Sequence, residues 1–399
     1  VFLKVPGFKI FEIVVFTLKP SVLFLKKRFG TISRIRKREG EIVRRTYKFK
    51  LEPTAEQIEI IEQTLDLCRW LYNSMLEQRK LAYQFRNVSL TLYTQKRELP
   101  KVKEAFPEFK QVYSQVLQDV CQRLDQTFQA FFRRLKKGEK AGYPRFRGKN
   151  RYDSFTYPQS GYKLEGKYLK LSKIGKVRIK LHRQMEGKLK TCTIRRKNGK
   201  YYACFSCEVK PVVHSTGKQV GVDLGVKHLA TTSDGEFFEH PKYLSKAEKR
   251  LKYLQRMVSR RKKGSNRRRK AVAMLAKCHE YIANQRRDTA HKISRYLVDH
   301  FDFIAFEDLN IKGMTKNHHL AKSIADAGWR MLISFTTYKA EYAGKKVVGV
   351  DPRNTSQACS ECGQIVSKTL SERTHQCPCG YIADRDVNAA RNILKKALA

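Results

Sequence analysis

The sequence predicts an α/β protein of several domains, with a helical lobe inserted into a strand-rich, barrel-like unit and followed by an α/β segment. Three observations predict it. Long amphipathic stretches fill residues 54 to about 137, short alternating runs with turn signals fill 141 to about 210, and beyond residue 217 apolar strand-like runs alternate with helical ones. Several of those apolar runs end in an acidic residue.

The chain has 399 residues, 41% of them hydrophobic, enough for a sizeable core and two to three domains. Its 83 Lys and Arg against 37 Asp and Glu give a formal charge of +46. Self-repulsion on that scale calls for a polyanion, so the expected partner is nucleic acid. A membrane surface would require a basic amphipathic helix or a lipidation motif, and neither is read. Of ten cysteines, four cluster between Cys359 and Cys379, a pattern suited to a reducing cytoplasm and one metal site rather than a disulfide framework. Residues 1–40 read as an amino-terminal extension outside the fold. Their apolar run FKIFEIVVFTLKPSVLFL is interrupted by Lys9, Glu12, Lys19 and Pro20 and is too short and too charged to span a bilayer.

The elements follow in order. In IVRRTYKFKL, Tyr47, Phe49 and Leu51 alternate with Lys48 and Lys50, so residues 41–53 supply a first barrel strand. Thr54 then opens a helix with Gln57 three positions on, a capping box, and Ile58, Ile61, Leu65, Cys68, Tyr72 and Met75 recur at helical spacing. A second amphipathic stretch over 108–137 completes a helical lobe at 54–140. Residues 141–212 are strand-rich, with Asn198-Gly199 as a hairpin turn, and form the barrel with that first strand. Cys204 and Cys207 form a CxxC inside a strand, where alternation sends the two thiols to opposite faces, so they read as core filler. Residues 213–354 and 383–399 are two parts of one α/β domain, with the cysteine module at 355–382 between them. Within the first part, the Lys and Arg density from Arg256 to Lys270 on a helical surface predicts phosphate contact.

Three acids sit where apolar elements end or begin. Asp223 lies in VGVDLG, whose valines predict a strand buried on both faces; Glu307 closes FIAFE; Asp386 opens the helix VNAARNILKKAL, where the dipole favours a carboxylate. Alone, each suits a cap or a turn. Converging, they would need a hard cation such as Mg²⁺ to offset their burial. A pair of such ions about 4 Å apart can clamp both oxygens of a phosphodiester in in-line hydrolysis.

Cys359 and Cys362 form a CxxC, and Cys377 and Cys379 follow after a fourteen-residue spacer. Two such pairs can surround one structural Zn²⁺, although the second knuckle, CPCG, is one residue shorter than CPxCG. His375 is the substitute ligand should the short knuckle fail.

The stretches GVDLGVKHLATTSDG, FEDLNIKGM, SIADAGW, NTSQACSECG and DRDVNAARNIL, with YKFKLEPTAEQ and GYPRFRGK ahead of them, resemble in order the motifs of the TnpB family. These are transposon-encoded, RNA-guided DNA nucleases similar to the smallest type V CRISPR effectors. The resemblance implies a RuvC-like (RNase H fold) nuclease domain with an inserted zinc ribbon, a β-barrel (wedge) domain and a helical recognition lobe. It implies catalytic Asp223, Glu307 and Asp386, with Asp384 as the runner-up for the last role. It implies two catalytic Mg²⁺, one structural Zn²⁺, a guide RNA encoded by the transposon and double-stranded target DNA as partners, one protein per RNA, and a prokaryotic, nucleoid-associated setting. Alternative readings are an inactive RNA-guided regulator and a transposase. Contact with a short DNA motif beside the target falls by resemblance on Gln118 and Thr156, with Gln115 and Tyr157 as neighbours. Tyr143, Arg145 and Arg147 combine an aromatic with guanidinium groups suited to RNA. No helix-turn-helix is read. The resemblance implies that sequence recognition is delegated to the guide.

Overall fold

A computed structural model describes residues 42–149, 151–211, 213–369 and 372–399; the amino-terminal extension expected at 1–40 lies outside them. Strand β1 (Val43–Glu52) buries Tyr47, Phe49 and Leu51 and exposes the lysines between them, as alternation dictates. The capping box then forms as read: Gln57 N–H donates to the Thr54 hydroxyl, and the Gln57 side chain accepts from Thr54 N–H. Helix α1 (Ala55–Arg86) runs from it for 32 residues. Helix α2 (Leu92–Ala105) was not read from the sequence; it carries Pro100 in its interior and buries Gln95 and Leu99. A 3₁₀ turn at Pro107–Gln111 leads to α3 (Ser114–Lys136), whose stripe Val116, Leu117, Val120, Cys121, Leu124 and Phe128 packs on α1 and α2.

Six strands follow: β2 (Ser154–Tyr157), β3 (Tyr162–Glu165), β4 (Tyr168–Leu171), β5 (Gly175–Lys180), β6 (Lys188–Lys197) and β7 (Lys200–Val209). Asn198 and Gly199 both have positive φ (49° and 70°) and turn β6 into β7. With β1 these strands make one antiparallel sheet of order β2-β6-β7-β1-β5-β4-β3, so β1 is central although earliest in the chain. The two edge strands approach each other, with Tyr157 and Tyr162 rings 6.4 Å apart, and the sheet is nearly closed. Cys207 is buried in this core, whereas Cys204 is half-buried beside Lys48, as opposite faces require.

The second half begins with β8 (Gln219–Asp223), β9 (His228–Thr232) and β10 (Phe237–Glu239). Helices α4 (Tyr243–Ser259) and α5 (Asn266–His300) follow, then β11 (Phe303–Glu307), short α6 (Ile311–Met314), α7 (His318–Ala327), α8 (Trp329–Tyr342) and β12 (Lys346–Val350). A small hairpin of β13 (Thr374–Gln376) and β14 (Ile382–Asp384) precedes the final helix α9 (Arg385–Leu398). The five-stranded sheet has order β10-β9-β8-β11-β12, antiparallel through β8 and parallel from β8 to β12. One face, carrying Val220, Val222, Ile304 and Phe306, shares a core with Ile293 and Leu297 of α5 and Leu332 and Ala340 of α8. α9 covers the other face. A central strand covered on both sides reads as a continuous apolar run, which is the signal in QVGVD and FIAFE.

Candidate active site

The parallel register of β8 and β11 pairs Phe306 with Val222, which makes Glu307 the next neighbour of Asp223. Both carboxylates therefore leave the sheet on the face opposite the valines, at the carboxyl ends of adjacent strands. Gly221 shares that face, and α9 comes down upon it: a Cβ at Gly221 would stand 2.0 Å from Ala390 O and 2.7 Å from Leu394 N. Asp386 is one helical turn before Ala390, so the same close approach carries it to Asp223, two residues further along β8.

Electrostatics report the convergence. Burial is the largest cause raising the Asp223 pKa, to about 8, and the carboxylates of Glu307 and Asp386 raise it further against the opposing pull of Arg385 and the Leu224 N–H. Glu307, 8% exposed, is also pushed up by burial, while the Thr355 hydroxyl that donates to its Oε1 and the nearby Lys396 pull it down. Asp386 is 6% exposed, with Arg385 Nε at 3.4 Å and an Arg373 nitrogen at 4.0 Å. Asp384 is engaged elsewhere: its Oδ1 accepts from Asp386 N–H at 2.8 Å and Val387 N–H at 3.4 Å, capping α9. Among the described residues the four clustered thiols form the group whose ligand atoms all lie within 4.8 Å of one another; the three carboxylates are not so closely set, and the charges of Glu307 and Asp386 act on Asp223 from further off.

Those thiols close a compact module. Cys359 Sγ lies 3.8 Å from Cys379 Sγ, and Cys362 Sγ lies 3.5 Å from Cys377 Sγ. A tetrahedron of thiolates about 2.3 Å from zinc has edges of about 3.8 Å, so the set fits zinc; the sulfurs are too far apart for disulfides. The shortened knuckle keeps its backbone pattern with one residue fewer: Cys359 N–H donates to Gln364 O, and Cys377 N–H to Tyr381 O. His375 lies outside this ligand group; it is wholly buried, and its Nδ1 contacts the Lys368 ammonium.

Sequence reasoning missed what joins the module to the acids. Asn388 accepts from Ser360 N–H and donates to Ala358 O, both at 2.8 Å, and Asn392 donates to Thr355 O and Ala358 O. The i, i+4 asparagines thus lock residues 355–360 onto α9, on a face where apolar side chains would be expected. Their spacing in VNAARN was the available signal. Trp329, from SIADAGW, donates its indole N–H to Gly225 O two residues past Asp223.

The expected nucleic-acid residues divide. Gln118 is exposed and half-buried Gln115 accepts from Ser160 N–H; the two line one groove with Pro158 and Gln159. Thr156 is tied to Arg123 at 2.6 Å and Thr193 at 2.9 Å. Tyr157 is a correction: it is 1% exposed and its hydroxyl donates to Ser172 O, because the alternation of β2 turns it inward as a barrel core residue. Tyr143, Arg145 and Arg147 are exposed on a loop held to α1 by both backbone bonds between Arg147 and the Asn73 amide.

Comparisons with known proteins accord with this arrangement. A family profile described as "Probable transposase" matches residues 202–318, and one described as "Cas12f1-like, TNB domain" matches 329–393. A third, described as "Helix-turn-helix domain", matches 43–87, where the structure has a strand and one uninterrupted helix. The chain is 33% identical over 90% of its length to a putative RNA-guided DNA endonuclease of Streptomyces pristinaespiralis, covering 90% of that protein. It is 33% identical over 87% of its length to the putative RNA-guided DNA endonuclease InsQ of Escherichia coli, covering 91% of it. Over half of each chain it is 33% identical to the CRISPR-associated endodeoxyribonuclease Cas12f1 of Sulfoacidibacillus thermotolerans.

Proposed function

Because the chain belongs to the IS605 OrfB (TnpB) family, we propose that it is the RNA-guided DNA endonuclease of a transposable element, cutting guide-matched DNA with Asp223, Glu307 and Asp386. The observation that carries the assignment of the site is geometric: Asp223 and Glu307 end adjacent parallel strands on one face, and α9, which bears Asp386, packs against Gly221 of that same face. Three carboxylates at strand ends and a helix start are oxygen ligands for hard cations, and their mutual repulsion fits Mg²⁺. The mixed sheet covered by α9 on the face that bears the acids supports the RuvC-like reading.

Mg²⁺ held by these acids would supply Lewis-acid stabilisation of the phosphate and a water of lowered pKa. The chain's own residues do the rest. Asp223 and Glu307 are fixed by the rigid parallel register, so their separation does not depend on a loop. Asp386 is set by the Gly221–Ala390 contact and by Asp384, which holds the first turn of α9. Thr355 orients the Glu307 carboxylate from the cysteine module, whose four thiolates fit one structural Zn²⁺. That zinc takes no part in chemistry, since a closed tetrathiolate site leaves no open position. A single site of this kind cuts both strands in turn, in a monomer that holds one guide RNA. The groove at Gln115 and Gln118 is suited to reading the adjacent motif, and the guide pairs with the remainder of the target.

Replacing Asp223 with Ala in a purified ribonucleoprotein tests the reading. Matched DNA should still be bound and Mg²⁺-dependent cleavage lost; retained cleavage would overturn the assignment.

A further inference from the structure

The apolar stripe of α3 does not stop where the helical lobe stops burying it. Phe128 is the last buried member, at 7% exposure, yet the stripe continues through Phe132 and Leu135, which are 49% and 48% exposed. The loop that follows returns across it: the Tyr143 ring stands edge-on to Phe128 at 5.7 Å and to Phe131 at 5.5 Å. Phe131 and Phe132 also meet edge-on, at 5.3 Å. Tyr143 remains 45% exposed, and Phe146, three residues on, is 52% exposed. A stripe of this size left in solvent marks a binding surface.

Charge says what covers it. Residues 133–149 hold eight cations (Arg133, Arg134, Lys136, Lys137, Lys140, Arg145, Arg147 and Lys149) and one acid, Glu139. An apolar protein or lipid partner has no need of that density, whereas a strand of nucleotides needs both parts: ring faces for its bases and cations for its phosphates. Beside the rings, a groove between α3 and this loop is lined by Arg123, Gln126, Phe131 and Arg134, giving the backbone a path.

Resting on the proposed function, we propose that Phe132, Tyr143 and Phe146 form a stacking platform for unpaired nucleotides of the guide RNA. Duplex DNA keeps its bases stacked inside, while RNA loops present splayed bases of the kind that aromatic side chains and guanidinium planes take. A displaced DNA strand presents the same chemistry, and the test separates the two.

The full chain, as its Phe146→Ala, Phe132→Ala and Phe146→Trp variants, is titrated into labelled oligouridylate of about 15 nucleotides, the corresponding oligodeoxythymidylate and a blunt DNA duplex. Each alanine should weaken the oligouridylate about 5- to 100-fold and leave the duplex unchanged. The Phe146→Trp variant should bind as the parent does. The salt slope should also stay constant, because the phosphate contacts remain. Equal affinity for oligouridylate in all variants, equal loss for the duplex, or a loss confined to oligodeoxythymidylate would each overturn the proposal. Binding is read without cleavage, so failure of the nuclease assignment would leave this readout standing. Unchanged melting temperatures of the alanine variants would exclude unfolding as the cause.

Discussion

Gly221 lies directly beneath Ala390, so close that the one hydrogen on its α-carbon facing α9 occupies the only space between strand and helix. This contact sets the height of Asp386 above Asp223. Gly221→Ala would drive a methyl group into the Ala390 carbonyl, a backbone atom that cannot turn aside. It should cost about 1–3 kcal/mol as an overpacked core does, lowering the melting temperature by several degrees. Cleavage should fall far more than that loss explains, while guide RNA binding persists. Calorimetry paired with a plasmid-cutting assay checks both, and full activity in Gly221→Ala would show that the height of α9 does not matter.

Asp223 offers a test with a worked sign. Its carboxyl ionises near pH 4 in the unfolded chain and near pH 8 in the folded one, where burial and the Glu307 and Asp386 carboxylates disfavour its charge. Between those values folding takes up a proton, so the stability of the metal-free protein falls as pH rises from about 4 to about 8 and is level beyond. Asp223→Asn removes the ionisation. It should be as stable as the parent at pH 4 and more stable at pH 8 by on the order of a few kcal/mol, although inactive. Mg²⁺ should raise the parent's melting temperature at pH 8 and not the variant's. Melting curves across pH, with and without Mg²⁺, decide it; an equal or lower stability of Asp223→Asn at pH 8 would mean that the acids do not crowd one another.

Asp223 and Glu307 stand out in the sequence because they end apolar runs, and a strand buried on both faces cannot hide a carboxylate without cause; Asp386 stands out only as an acid at a helix start, and the resemblance is what joins the three. The four cysteines were legible by spacing, β1 by alternation, and β8 and β11 by their apolar runs. What brings these parts together was not, because it depends on long-range register. Gly221 is informative only once α9 is known to cross it. Asn388 and Asn392 look like ordinary helix residues until the module they hold is placed against them. Tyr157 was misassigned because surface or core in a four-residue strand turns on a one-residue parity that its neighbours Thr156 and Pro158 do not fix. Helix α2 was hidden by Pro100, a residue that argues against a helix interior and is outweighed here by the packing of Leu99 and Gln95.

The asparagines and the thiolates should act as one unit. Asn388→Ala leaves the buried Ser360 N–H without its acceptor, while Ala358 O keeps the Asn392 amide, costing about 1–3 kcal/mol. Cys377→Ser should release the metal expected at one zinc per chain by elemental analysis, and loosen the same contacts from the other side. Since Thr355 reaches Glu307 from this module, both variants should lose cleavage more than guide binding. If the two act through one path, the double variant should cost little more cleavage than the worse single one. Strictly additive losses would separate the cysteine module from the acids.

The hairpin of α4 and α5 carries the remaining prediction. It has a small core of its own, Leu251, Leu254, Cys278 and Ile282, so its tip can be altered without disturbing the sheet. Arg260, Lys262, Lys263 and Lys270 are exposed there, whereas Arg268 is taken up by the carbonyls of Val258 and Arg261. Phosphate contacts act through counterion release, with a slope of log affinity against log salt of about 0.7–0.9 per contact. Changing the four exposed cations to Gln should therefore flatten that slope by up to about 3 and weaken guided DNA binding at low salt. The penalty for a guide mismatch should stay the same, because phosphates carry no sequence. Cleavage of DNA already bound should proceed at the parent's rate, the acids being untouched. A changed mismatch penalty with an unchanged salt slope would mean that the hairpin reads bases instead.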